Sequence, residues 1–176
     1  FVFQRPQHLL TRLAQHYRIL FVEEPIYQAG AEEIHTSSPA PNVTVVQPHT
    51  DVNAPGFHDS QIAPLQLLLA TLIDEDEQPL IWFYTPMALP LLTGLKPRAI
   101  IYDCMDELSA FDQAPRQLQQ RESALMSRAD LVFTGGTSLY EAKKSKHPHV
   151  HCFPSSVDAV HFEQALDRSN GHPLQE

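Results

Sequence analysis

Basic residues are scarce in this chain: 12 Lys and Arg stand against 21 Asp and Glu, a formal net charge of -9. Tracking a phosphate backbone or lying along an anionic lipid surface needs clustered cations. Nucleic acid is therefore not expected as a partner, and only a small local anion site stays open. Cysteine is nearly absent. Cys104 and Cys152 each fall in or beside an apolar run without metal-ligand spacing. They read as small buried hydrophobes of a reducing compartment, not as a disulfide. Long hydrophobic runs are missing too: Ile62 to Ile73 is interrupted by Pro64 and Gln66 and is too short to cross a bilayer. Arg5 and His8 break the apolar start, so no signal-peptide pattern opens the chain and a cytoplasmic location is expected. Internal repeats and low-complexity segments are also lacking.

What is present suits one packed domain. A chain of 176 residues with 43% hydrophobic content can bury a full core. From Pro6 to Tyr17, Leu9, Leu10, Leu13 and Ala14 recur at helical spacing, with proline placed in the first turn. Arg18 to Val22 is a continuous apolar run ended by Glu23-Glu24-Pro25, the pattern of a strand buried on both faces. A clear strand follows at Val43 to Val46 and a weaker one precedes it at Glu33 to Thr36. His58 to Ile73 is mostly helical, with Pro64 marking its start or a kink. Strands at Leu80 to Tyr84, Ala99 to Tyr102, Leu131 to Phe133 and Val150 to Phe153 then alternate with helices around Met87 to Leu92, Pro115 to Ala129 and Ser138 to Lys146.

Such alternation predicts an α/β fold: a Rossmann-like, doubly wound parallel sheet covered on both faces, with the turns after its strands opening on one edge. The domain is expected over residues 1–162, and the polar stretch 163–176 reads as a linker or tail. The chain opens with Phe1-Val-Phe3 directly ahead of a helix, where a wound α/β domain ordinarily has a long buried strand. The first strand is therefore expected upstream of Phe1.

The strand ends hold the candidate chemistry. Asp103-Cys-Met-Asp-Glu107 places three carboxylates in one turn, suited to orienting a substrate hydroxyl as hydrogen-bond acceptors or a general base. Asp103 or Asp106 serving as a turn cap is the structural alternative. Arg5-Pro-Gln-His8 opens the first helix, where free N–H groups attract anions and His8 is a candidate for proton transfer. Gly135-Gly136-Thr137 opens a second helix in the same manner, although such glycines and caps are more often structural. His147, His149 and His151 alternate, which puts three imidazoles on one face of an extended segment. No companion ligand accompanies them, and Lys143, Lys144 and Lys146 nearby suggest a solvated loop, so no metal is expected. Glu122 lies on the apolar stripe of Leu118, Leu125 and Ala129 and needs a partner; an interior arginine or a position at the helix edge is expected to account for it, ahead of catalysis.

Four segments together resemble a family. Ala129-Asp-Leu-Val-Phe-Thr-Gly-Gly-Thr-Ser138 is similar to the Ala-Asp, apolar strand, Ser segment of GT-B glycosyltransferases of family 4. Phe153-Pro-Ser-Ser-Val-Asp158 to Phe162 is similar to the segment by which their N-terminal domain hands over to the C-terminal one, with Ser155-Ser156 where Asn-Gly is commoner. Phe3-Gln-Arg-Pro-Gln-His-Leu-Leu-Thr-Arg-Leu-Ala14 and Tyr102-Asp-Cys-Met-Asp-Glu107 resemble the first helix and the acidic turn of a bacterial subgroup that builds cell-envelope or exported polysaccharides. The resemblance spans residues 1 to 162. It implies the acceptor-side half of a two-domain enzyme that transfers sugar from a nucleotide diphosphate sugar to a hydroxyl acceptor without a metal or other cofactor. By the same implication Asp103 and His8 are catalytic, while Arg5, Asp106, Glu107, Gly135, Gly136 and Thr137 bind substrate. Peripheral membrane association through the acceptor is compatible with it, and the donor-binding half would lie beyond residue 176. A stand-alone flavodoxin-like binding module and half of a sugar-nucleotide epimerase are the competing readings.

Overall fold

A computed structural model describes residues 5–74, 76–108, 116–154 and 163 of the chain. In order, the elements are α1 (Arg5–Leu13), β1 (Ile19–Val22), β2 (Ile26–Tyr27), β3 (Glu32–Ala40), β4 (Val43–Thr50), α2 (Asp59–Leu69) and β5 (Leu80–Phe83), followed by a 3-10 helix (Pro86–Leu92). Then come β6 (Ala99–Cys104), α3 (Gln117–Arg128), β7 (Leu131–Thr134), α4 (Thr137–Lys143) and β8 (Val150–Cys152). The fold is α/β with parallel-strand sheets. No helix among the described residues is long and apolar enough to cross a membrane.

Where one sheet is expected, the described strands form two. In the first, β4 is central: β1 and β2 pair in parallel with one edge and β3 pairs antiparallel with the other. The edge lane breaks at Glu23 to Pro25 because proline offers no N–H to the ladder; Glu23 N–H still reaches Val46 O at 2.9 Å and Glu24 O accepts from Gln47 Nε2 at 2.6 Å. The β3–β4 turn uses Asn42 in the left-handed region at φ 60, which asparagine tolerates better than most residues, and its side-chain amide donates to Ala14 O at 2.9 Å. Both strands are longer than the sequence pattern suggests. Polar β3 has no apolar alternation of its own and is held by pairing with β4.

The second sheet is all parallel, in the order β5-β6-β7-β8. Its strands are short and apolar, and one face carries the main core: Ile100, Tyr102 and Cys104 of β6 cluster with Leu125 and Met126 of α3 and Leu89 of the 3-10 helix. Alternation turns Ile101 and Asp103 to the opposite face. Asp130, between α3 and β7, clamps the start of β6 by accepting from Ile100 N–H at 2.8 Å while its own N–H donates to Ile100 O at 2.8 Å. The Ala-Asp pair of the family-like segment thus has a structural task here. Leu65 of α2 is fully buried in the core of the second sheet, while α2 also packs on β3 and β4, so this helix bridges the two sheets. The handover-like residues beyond Pro154 and the tail, Glu163 apart, lie outside the described residues.

Candidate functional site

Register builds the site's platform. Cys104 of β6 lies opposite Thr134 of β7, and Thr134 opposite Cys152 of β8, so the three strands end level and Met105, Gly135 and Phe153 begin their exits at one edge. β6 runs to Cys104, which makes Asp103 a strand residue and not part of the turn. The reason is its partner. Arg5 at the start of α1 forks onto it, Nε donating to Oδ2 at 3.2 Å and Nη2 to Oδ1 at 3.0 Å, and Nη1 donates to Phe153 O at 2.6 Å. A carboxylate so engaged can be buried inside a strand.

The Asp103 side chain is 0% exposed and that of Arg5 23%. Burial pushes the Asp103 carboxyl above its ordinary range, and the Arg5 guanidinium opposes that without cancelling it. The Trp82 indole N–H of β5 also favours the carboxylate, yet completes no hydrogen bond to it, so the guanidinium is the partner that counts. With both carboxylate oxygens held, Asp103 fixes the orientation of Arg5. Among the described residues, Arg5 spends three of its five N–H groups on protein, which leaves two at this edge.

Tyr84, one residue past β5, completes the cluster. Its hydroxyl is buried without a hydrogen-bond partner among the described residues, and burial first, then the charge of Asp103, pushes its pKa upward. Tyr84 therefore stays a neutral phenol able to donate. It was not a sequence candidate, although it exits a parallel strand as Asp103 was expected to do.

The other carboxylates go elsewhere. Glu107 accepts from Lys143 Nζ at 2.9 Å, and Glu122 accepts from the same ammonium at 2.9 Å through both oxygens and from Tyr102 OH at 2.9 Å. The partner that Glu122 needed is thus a lysine, not an arginine. Lys143, expected in a solvated loop, has a side chain only 2% exposed. Burial alone would lower its pKa, but the hydrogen bonds it donates to Glu122 and then to Glu107 raise it, so the ammonium is retained. Lys144 and Lys146 are exposed, as expected. Asp106 is exposed, and its carbonyl accepts from the Cys104 thiol at 3.4 Å.

His8 lies three residues past Arg5 in α1 and is half-buried; the α1 residue on Asp103 is Arg5. A Cβ on Gly135 would stand 2.9 Å from Met105 O, so glycine is required where the exits of β6 and β7 touch. Gly136 is extended and open, and Thr137 is exposed. The alternating histidines do not converge: His147 Nε2 lies 2.9 Å from Ala129 O, while the His151 ring packs on Phe133. Among the described residues, the set that could converge on a metal is Glu33, His35 and His49 on β3 and β4, with ligand atoms within 4.8 Å of one another. His35 and His49 are instead stacked at 4.0 Å, and Glu33 accepts or shares a proton with His35 at 3.0 Å.

No family model and no curated protein sequence matches the chain.

Proposed function

We propose that this chain is the acceptor-side, doubly wound half of a GT-B glycosyltransferase, moving a sugar from a nucleotide diphosphate sugar onto a hydroxyl acceptor in polysaccharide or cell-envelope glycan synthesis. The observation that carries the reading is the Arg5 fork. A guanidinium pre-oriented by a buried carboxylate, at the carboxyl edge of a parallel sheet and with two N–H groups to spare, suits a ligand rich in hydroxyl or phosphate oxygens. The neutral Tyr84 hydroxyl beside it adds a donor of the same character. Asp103 is a positioning residue in this scheme, and charge on the leaving diphosphate would be met by a donor-binding domain. The resemblance of the segments around Arg5, Asp103 and Asp130 supplies the reaction class.

The test is a product assay on the polypeptide as encoded, with a panel of nucleotide sugars. Arg5→Ala should lower turnover at least about tenfold, roughly 1.4 kcal/mol of transition-state stabilisation. Asp103→Asn should change the acid limb of the pH–rate profile, which a packing defect alone would not do. Absence of sugar transfer from every donor overturns the proposal. Calorimetry should find no tight nucleotide binding by the 176-residue chain itself, given its net charge of -9. Micromolar binding there would favour a stand-alone binding module.

A further inference from the structure

On the antiparallel side of the first sheet, register gathers two imidazoles and a carboxylate. Glu33 and His35 are two residues apart on β3 and share a face, and Glu33 stands directly opposite His49 of β4, which brings all three side chains to that face. The side chains close the group further. The His35 and His49 rings stack at 4.0 Å with planes 16° apart, and Glu33 Oε1 lies 3.0 Å from His35 Nε2. One donor atom from each residue lies within 4.8 Å of the other two. The Arg5, Asp103 and Tyr84 cluster uses none of these residues.

Gln28 gives the group a direction. It follows β2, its N–H donates to Thr50 O at 2.9 Å, and its side-chain Oε1 lies 2.7 Å from His49 Nδ1. An amide oxygen accepts, so the His49 proton sits on Nδ1 and Nε2 keeps its lone pair. An imidazole that binds a metal is set up in this way, one nitrogen donating to a fixed oxygen and the other free to ligate. The side chains of His35 and Glu33 are 56% and 53% exposed, so both can turn while the backbone stays in place. Tetrahedral binding at about 2.0–2.2 Å sets neighbouring ligand atoms about 3.4 Å apart, a spacing those rotations can reach. Two imidazoles with one carboxylate suit Zn(II), whereas Mg(II) and Ca(II) take oxygen ligands.

We propose that Glu33, His35 and His49 form a Zn(II) site, ligated by the Glu33 carboxylate and by Nε2 of each histidine with water in the fourth position, and that Gln28 is its positioning residue. The ion stands where the Glu33–His35 hydrogen bond now is, and it fastens β3 to β4. A fastener has an effect there: β3 is polar with mostly exposed side chains, and its pairing among the described strands is with β4 alone. The site owes nothing to the sugar-transfer reading and stands if that reading fails.

The test is calorimetric titration of Zn(II) into the chelator-treated chain, prepared without a histidine tag. One ion per chain should bind with a dissociation constant of about 1 μM or below. His35→Ala, His49→Ala and the isosteric Glu33→Gln should each weaken binding at least about tenfold, and Gln28→Ala, which removes no ligand, should do so by a similar factor. Circular dichroism of each variant checks that the fold is kept. The double variant His149→Ala with His151→Ala, in the other histidine-rich segment, should bind as the parent does. Excess Mg(II) should not compete, and amide exchange along β3 should slow when Zn(II) is added. Unchanged affinity in His35→Ala or His49→Ala overturns the proposal, as does no binding at about 100 μM Zn(II). One ion per two chains also overturns it, because the metal would then bridge copies of the chain; full affinity in Gln28→Ala removes the positioning role.

Discussion

At the residue scale, Arg5 and Asp103 show how a site reading changes once partners are known. A lone carboxylate after a strand suggests a base; one with both oxygens in a guanidinium fork is a brace. Removing Arg5 leaves that charge buried and unpaired. In Arg5→Ala the Asp103 carboxyl should titrate at still higher pH, read by carbon-13 NMR. The sign follows from its raised folded pKa. Folding then takes up a proton, so stability is lost as pH rises from the ordinary aspartate range to the raised value. Asp103→Asn should flatten that slope. Asp103→Asn should also weaken the tie between α1 and β6 that the carboxylate makes. Glycine makes a sharper contrast. Gly135→Ala should cost about 1–3 kcal/mol through its clash with Met105 O, while Gly136→Ala, in open space, should stay within about 0.5 kcal/mol; paired chemical melts measure both.

At the element scale, one ammonium joins three pieces. Lys143 of α4 binds Glu122 of α3 and Glu107 after β6, and Glu122 also takes the Tyr102 hydroxyl of β6. Lys143→Met would leave Glu122 without its cation, and a cost of about 3–5 kcal/mol is expected by denaturant titration. Both the lysine and Tyr102 have folded pKa values raised above 10.5 and 10.0, their ordinary values. Groups raised in this way stabilise the fold fully below the ordinary value and cease to as pH climbs through the folded one. Thermal melts should therefore be level from neutral pH and decline above about pH 10. In Lys143→Met that decline should be shallower. The apolar stripe around Glu122 made the need for a partner legible in the sequence. Which helix supplies it was not legible, because nothing in the spacing of α4 marks Lys143 as inward.

At the scale of the whole molecule, the sheets are linked by α2, by the Arg5 fork and by the Arg18–Glu77 pair, and these links differ in weight. Arg18 and Glu77 are 60% and 38% exposed at their side chains, so Arg18→Ala should change stability by no more than about 0.5 kcal/mol. Leu65 is fully buried at the bridge, so Leu65→Ala should cost about 2–5 kcal/mol. Circular dichroism and tryptophan fluorescence, followed together through denaturant, check both. If α2 is the bridge, the Leu65 variant should lose both sheets in one transition.

The amino-acid sequence by itself determined what depends on near neighbours. Short continuous apolar runs and three-to-four-residue spacing marked β5 to β8, α3 and α4 nearly where they stand, and the order of strand and helix implied parallel pairing. It also placed the polar exits along one edge. Tertiary structure alone decided what depends on groups distant in the chain: the Arg5–Asp103 fork across 98 positions, the Lys143 partners, and the antiparallel return of polar β3. It decided, too, that among the described strands β1 and β5 each pair on one side alone and line one cleft. The physical reason is that periodicity records which face of an element is buried, whereas a hydrogen-bond or ion-pair partner is chosen by whatever the folded chain brings to that face.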